Sequence, residues 1–101
     1  MFLENVLSDI NFGLILNKYD NEYLESLDPY RFASIYNIFI NHKFYFIEDL
    51  IVKYLEMFTL DEDVILNAID DLILKYGDDY IYYIGKDLSI LDDAINDELE
   101  R

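Results

Sequence analysis

Tyr76-Gly77-Asp78-Asp79 spells the tetrapeptide with which polymerases hold magnesium on a β-hairpin. Here it follows a helical pattern, and a chain of 101 residues is far too short for a polymerase. It reads as a helix end followed by an acidic turn. The acid pairs Asp61/Asp63, Asp70/Asp71, Asp78/Asp79 and Asp92/Asp93 raise the question of a metal. An EF-hand needs alternating oxygen ligands, a central glycine and a closing glutamate in one loop. No stretch supplies them, and neighbours on a helix point about 100° apart, so Asp70 and Asp71 make no ready chelate. No metal or cofactor is expected. His42 is the one histidine. It has no assignable nucleophile or carboxylate partner and reads as a helix-end residue facing terminal carbonyls. No catalytic residue is assigned, and the chain is not expected to be an enzyme.

The carboxylates bear on binding instead. In a helix beginning near Asp61, Asp63, Asn67 and Asp70 share an outward ridge, which Asp71 and Asp78 extend around the helix end. In a last helix, Asp92, Asp93, Asn96, Asp97 and Glu100 are expected on the exposed side. Carboxylates one or two turns apart lie roughly 5–11 Å apart along a helix axis. That is the scale of successive phosphates, with about 3.4 Å of rise per strand step. Such an array fits a cationic groove built for a nucleic-acid backbone. Like charges at these spacings repel by a few tenths of a kcal/mol per pair. Tyr76, Tyr80, Tyr82 and Tyr83 cluster beside Asp78 and Asp79. Some must face outward, where a ring can anchor a partner or stand in for a base.

The elements that would hold these groups read as helical nearly throughout. Phe2, Leu3, Val6, Leu7 and Ile10 form one apolar face before Gly13 interrupts. Residues 11–17 are open between helix and strand. Asp20 or Asn21 can start a short helix through Leu27. Asp28-Pro29 is a strong start, with a capping carboxylate and a proline where no hydrogen bond is lost. That helix buries Phe32, Ile35, Tyr36, Phe39 and Ile40 and ends near Asn41-His42-Lys43. The next buries Ile47, Leu50, Ile51, Tyr54, Leu55 and Phe58. Thr59 and Glu62 fit a capping box ahead of a helix over 60–76, with Val64, Ile65, Ala68, Ile69, Leu72, Ile73 and Tyr76 inward and Gly77 as its stop. Tyr80, Ile81, Tyr83 and Ile84 follow, stopped by Gly85. Ser89 then caps a helix that turns Leu91, Ile95 and Leu99 inward. A 34-residue echo such as Ile35/Ile69 and Phe39/Ile73 reflects similar packing, without the residues of a tetratricopeptide repeat. The expected fold is all-α, a single domain over residues 1–101 made of about five to six short helices.

Composition narrows the function. The chain has 22 acidic and 7 basic residues, for a net charge of −15, and 53% hydrophobic residues. That apolar content argues against disorder. Seven cations cannot neutralise many phosphates over so negative a surface, so no direct nucleic-acid binding is expected. An anionic membrane surface repels it as well. The absence of cysteine removes disulfides, thiolate metal sites and thiol nucleophiles. No stretch reads as membrane-spanning and the first residues lack a basic leader, so a cytoplasmic setting is expected. Residues 1–47 carry a net charge of −3 and residues 48–101 carry −12. Isoleucine (14), asparagine (8), tyrosine (10) and phenylalanine (7) are abundant, as AT-rich codons produce, yet there are only five lysines. The expected source is a low-GC bacterium or its phage, with selection for negative charge.

In this combination of small size, acidity, tyrosine content and AT bias, the chain resembles the phage-encoded anti-CRISPR and DNA-mimic inhibitors. The resemblance rests on overall composition and on the acidic helices of residues 48–101. It implies an inhibitor acting in the bacterial host cell that occludes the basic site of a nucleic-acid-handling protein, possible CRISPR effectors included. The residues expected to bind are Glu62, Asp63, Asp70, Asp71, Asp78, Asp79, Tyr82, Asp92, Asp93 and Asp97. The same physics would serve an immunity protein or antitoxin against a basic nuclease. A third alternative is a helical scaffold that associates through outward Leu66, Leu74 and Ile38. The expected state is a monomer or small homo-oligomer.

Overall fold

The computed structural model describes residues 1–101 and contains seven α-helices, three short 3₁₀ turns and no strand. The helices are α1 (Asp9–Lys18), α2 (Asn21–Ser26), α3 (Pro29–Asn41), α4 (Ile47–Lys53), α5 (Glu62–Tyr76), α6 (Tyr80–Lys86) and α7 (Ser89–Leu99). The chain is a single all-α domain, and no helix is long and apolar enough to cross a membrane.

The N-terminal segment departs from the expected continuous face. Phe2–Asn5 is a 3₁₀ turn, and Ser8 opens a new helix, its Oγ accepting from the Asn11 N–H at 3.3 Å. Leu3 and Leu7 are buried, but the restart turns Ile10 outward. Residues 12–16 are helical and Gly13 does not interrupt them. The start of α1 is fixed from a distance. The Ser8 N–H donates to Glu48 Oε1 at 2.7 Å, and Asn11 Nδ2 donates to the same oxygen at 3.1 Å.

α3 forms as its sequence implies. The Tyr30 N–H donates to Asp28 Oδ1 at 2.9 Å, and Pro29 occupies the first turn. Its end is closed by a paired-bond cap of the kind that uses one left-handed residue. Lys43 has φ +67°, its N–H reaches the Ile40 carbonyl at 3.0 Å, and the Phe44 N–H reaches the Phe39 carbonyl at 3.0 Å. The Phe39 and Phe44 rings pack 5.0 Å apart across this cap. Ile38, expected outward, is buried, whereas Ile40, expected inward, is exposed.

The single helix expected over 47–58 is broken at Tyr54 into α4 and a 3₁₀ turn, Leu55–Thr59. Lys18 Nζ donates to the Val52 and Lys53 carbonyls at 3.3 and 3.1 Å, satisfying acceptors that a continuing helix would have used. Thr59 is not the cap of α5. Its Oγ1 donates to the Glu56 carbonyl at 2.6 Å, and Asp61 holds the cap position while its carboxylate pairs with Arg31 at 2.6 Å. Ile73 faces solvent. Gly77 ends α5 at φ +67° and ψ −147°, a conformation open to glycine. Gly85 does not stop α6 but lies within it, under the Tyr45 ring. Ser89 donates to Asp87 Oδ1 through both its N–H (3.1 Å) and its hydroxyl (2.6 Å), so Asp87 and not Ser89 orders the start of α7. Leu99 is exposed, and Leu91, Ala94 and Ile95 face inward.

These inward faces merge into one core of 26 buried residues, none of them charged. An aromatic run threads it, with Phe32–Phe58, Phe39–Phe58, Phe44–Phe46 and Phe44–Tyr80 ring centroids 4.9, 5.5, 5.2 and 6.1 Å apart. Helix α7 lies along α5, the most extensive pairing of the fold.

Candidate protein-binding surface

The α5–α7 pairing leaves a groove of about 190 Å³ between the two helices. Leu72, Tyr76, Ile90 and Ala94 form its apolar floor. Asp71, Asp93 and Asp97 stand on its rims, with Lys75 as the one cation. Asp93 and Asp97 are one turn apart, a rise of about 6 Å. The Asp71 rim faces them because the buried stripe Ala68–Leu72 rotates Asp71 toward α7.

The other expected binding residues distribute around this groove and away from it. Asp63 and Asp70 lie on the solvent ridge of α5, roughly 100° from Asp71 for the Asp70 neighbour. Glu62 turns to α3, where its Oε1 accepts from Ser34 Oγ. Asp78 and Asp79 are exposed in the 3₁₀ turn that follows α5. The acidic side expected on α7 splits in two. Asp92 and Asp97 are five residues apart, which puts them about 140° apart around the helix. Asp92 lines a separate cleft with Tyr54, Glu56, Met57 and Asn96. Burial pushes the Asp92 carboxyl above the usual carboxylate range, and Asp93 and Glu56 add to the effect. Of the tyrosines, Tyr80 is buried and Tyr76 half-buried, while Tyr82 and Tyr83 are exposed. Tyr76 and Tyr83 stack at 4.9 Å, and Lys86 Nζ lies 4.9 Å from the Tyr82 ring centre.

Two further acidic residues, Glu98 and Glu56, lie outside the expected set. The Glu98 side chain is only 7% exposed, with Oε1 3.0 Å from Arg101 Nη1, while Arg101 Nη2 reaches Asp71 Oδ2 at 3.5 Å. The adjacent Asp71 carboxyl, and then burial, raise the Glu98 carboxyl above its ordinary range against the pull of Arg101. Glu98 sits at the position on α7 that continues the inward stripe of Leu91, Ala94 and Ile95. That periodicity was the available signal. Glu56 accepts from the Tyr19 hydroxyl at 2.9 Å, and burial followed by this bond pushes the Tyr19 hydroxyl well above its ordinary value. Nothing local in the sequence marks that pair.

His42 closes its own helix, with Nδ1 2.8 Å from the Ile38 carbonyl oxygen. No three histidine, aspartate or glutamate side chains come together as a metal-holding set. Chemically, the α5–α7 groove is suited to a long cationic side chain, whose methylene stem can lie on the apolar floor while its head meets the rim carboxylates. Comparison with protein-family models, with characterised proteins and with solved structures returns no match.

Proposed function

We propose that this chain is an acidic inhibitor that docks on the cationic nucleic-acid-binding surface of a partner protein and blocks it, in the manner of the anti-CRISPR and DNA-mimic class. The observation that carries the reading is the α5–α7 groove, where carboxylates from two helices flank an apolar floor. A solvated acidic coat needs no such floor. Asp78 and Asp79 extend the negative surface just beyond Tyr76. The field of −15 charges steers a basic partner toward the molecule, and insertion of its Lys or Arg side chains into the groove supplies the short-range contact. Tyr82 and Tyr83 offer aromatic area beside it.

The test starts with capture of the partner from a bacterial lysate at low salt and elution at high salt. The purified partner is then titrated against the wild type and against Asp78→Lys/Asp79→Lys/Asp93→Lys/Asp97→Lys, with duplex DNA or RNA as competitor. Affinity should fall by more than about 100-fold, or about 2.7 kcal/mol, in the variant. Nucleic acid should compete with the wild type. Unchanged affinity in the variant, or simultaneous binding of nucleic acid and this chain, overturns the reading.

A further inference from the structure

The least acidic part of the molecule also carries an open apolar face. On α1, Ile10 is 79% exposed and Leu14 is 49% exposed, four residues apart on the same side. Leu14, Asn17, Lys18, Val52 and Lys53 border a shallow and mainly apolar depression where α1 meets the end of α4. Lys18 is fixed there by its bonds to the Val52 and Lys53 carbonyls. Neither lysine has a carboxylate within ion-pair distance, since the four ion pairs belong to the N-terminal amine, Arg31 and Arg101. Asp87 lies within electrostatic range of Lys53 without pairing with it, so the patch is apolar and carries two lysines free of ion pairs on a molecule of net charge −15.

Its complement lies on the same molecule. The outer ridge of α5 exposes Leu66 (36%), Ile73 (37%) and Leu74 (86%). Asp63 and Asp70 stand among them, at the three- and four-residue spacings of one helix face. α1 rests chiefly on α4, and α5 chiefly on α7 with smaller contacts to α3, α6 and the turn between α5 and α6, while Leu66, Ile73 and Leu74 stay exposed.

We propose that a second copy of this chain seats its α5 ridge on the α1/α4 patch, with Leu66, Ile73 and Leu74 covering Ile10, Leu14 and Val52 while Asp63 and Asp70 meet Lys18 and Lys53. Two copies of charge −15 repel at a distance, but at about 0.15 M salt the screening length is about 8 Å, and the charges at the contact decide. A two-fold pairing of α1 with α1 would bring the lysines of both copies together without carboxylates. The head-to-tail contact neutralises them. Such a contact does not close on itself, so it propagates into short chains. It uses the outer ridge of α5 and not the α5–α7 groove, and it stands independently of the inhibitor reading.

Sedimentation velocity over a concentration series at about 0.15 M salt tests this with two variants. Leu14→Asn/Lys53→Gln disables the basic face, and Asp70→Asn/Leu74→Asn disables the acidic one. All four positions are solvent-exposed, and far-UV circular dichroism checks that the helices persist. Ile10→Asn/Lys53→Gln is the alternative to the first variant. The wild type should grow with concentration, and each variant alone should stay monomeric. An equimolar mixture should form a one-to-one dimer that grows no further, because each component keeps one working face. A wild type that is monomeric throughout overturns the proposal. So does a variant that associates like the wild type, or a mixture that stays monomeric.

Discussion

Glu48 ties the start of the chain to α4, and neutralising it should lower stability in a pH-dependent way. Its Oε1 accepts from the Ser8 N–H at 2.7 Å and from Asn11 Nδ2 at 3.1 Å, so one oxygen closes the first turn of α1 from 37 to 40 residues away. A hydrogen bond to a charged group contributes about 1.5–3 kcal/mol, roughly twice a neutral one. The Ser8 bond is exposed to solvent, which places the value at the low end. Glu48→Gln keeps an oxygen acceptor and loses the charge, a cost of about 1 kcal/mol. In a domain of this size that lowers Tm by roughly 4–8 °C. Glu48→Ala leaves both donors without this acceptor and should cost about 2 kcal/mol. The bonds from Ser8 and Asn11 hold the Glu48 carboxyl below its ordinary value of 4.5. A carboxyl lowered by folding stabilises the protein fully above the unfolded value, and that stabilisation is lost as pH falls through the folded one. The Tm gap between wild type and Glu48→Gln should therefore be complete at pH 6–7, begin to shrink below about 4.5, and close at lower pH. Thermal unfolding followed by circular dichroism across that range measures it. A gap that is absent at pH 7, or as large in acid as at neutrality, refutes the assignment of this oxygen as the tether.

Gly13 lies inside α1, and a Cβ there would meet nothing within 4 Å. Gly13→Ala should therefore stabilise by about 0.5–1 kcal/mol, read as a higher urea midpoint. Phe39 is fully buried between Phe44 and Phe58, and Phe39→Ala should cost about 3–5 kcal/mol in the same assay. Glu98 is raised by the adjacent Asp71 carboxyl and by burial, so folding favours its protonated form, and the stability this lends is present at low pH and lost as pH rises. Glu98→Gln, which imitates that form, should melt above the wild type at pH 7 and lose its advantage in acid. Ile90→Ala shortens the groove floor without changing charge. It should speed dissociation from a partner and leave association unaltered, as surface plasmon resonance would show.

Where the sequence was legible, the signals were local and chemical. Asp28-Pro29 specifies the start of α3 through one carboxylate and one ring, and both act within a turn. Gly77 ends α5 because its φ of +67° with ψ of −147° suits glycine. The buried stripe Ile65, Ala68, Ile69, Leu72 follows directly from helical spacing. The misread positions were decided by distant groups. Thr59 and Glu62 look like a capping box, but Arg31 on α3 draws in Asp61, and Ser34 draws in Glu62. The break at Tyr54 depends on Lys18 reaching the carbonyls of α4 from 34 residues away. Spacing alone aligns Ile10 with Leu3 and Leu7, and the intervening turn cancels that phase. Of the ten expected binding residues, Asp71, Asp93 and Asp97 meet in one groove because α5 and α7 happen to be neighbours. No pattern within either helix announces that.

The distribution of charge separates two explanations for the acidity. If the carboxylates served only to keep the molecule dissolved, spacing them apart would serve as well, and placing them at one-turn intervals beside a buried acid would only add repulsion. Here Asp93 and Asp97 stand one turn apart on α7, facing Asp71 across an apolar floor, and Glu98 lies buried against Asp71. The fold answers this crowding locally. Arg101 bridges Glu98 and Asp71, which quiets the end of the groove nearest the C-terminus, while Asp93 and Asp97 have no ion-pair partner. Free carboxylates therefore sit beside exposed apolar surface, and a cationic side chain with an aliphatic stem can meet the rim and cover the floor at once. The groove is thus better matched to lysine or arginine than to a small cation, which would satisfy the rim and leave the floor uncovered.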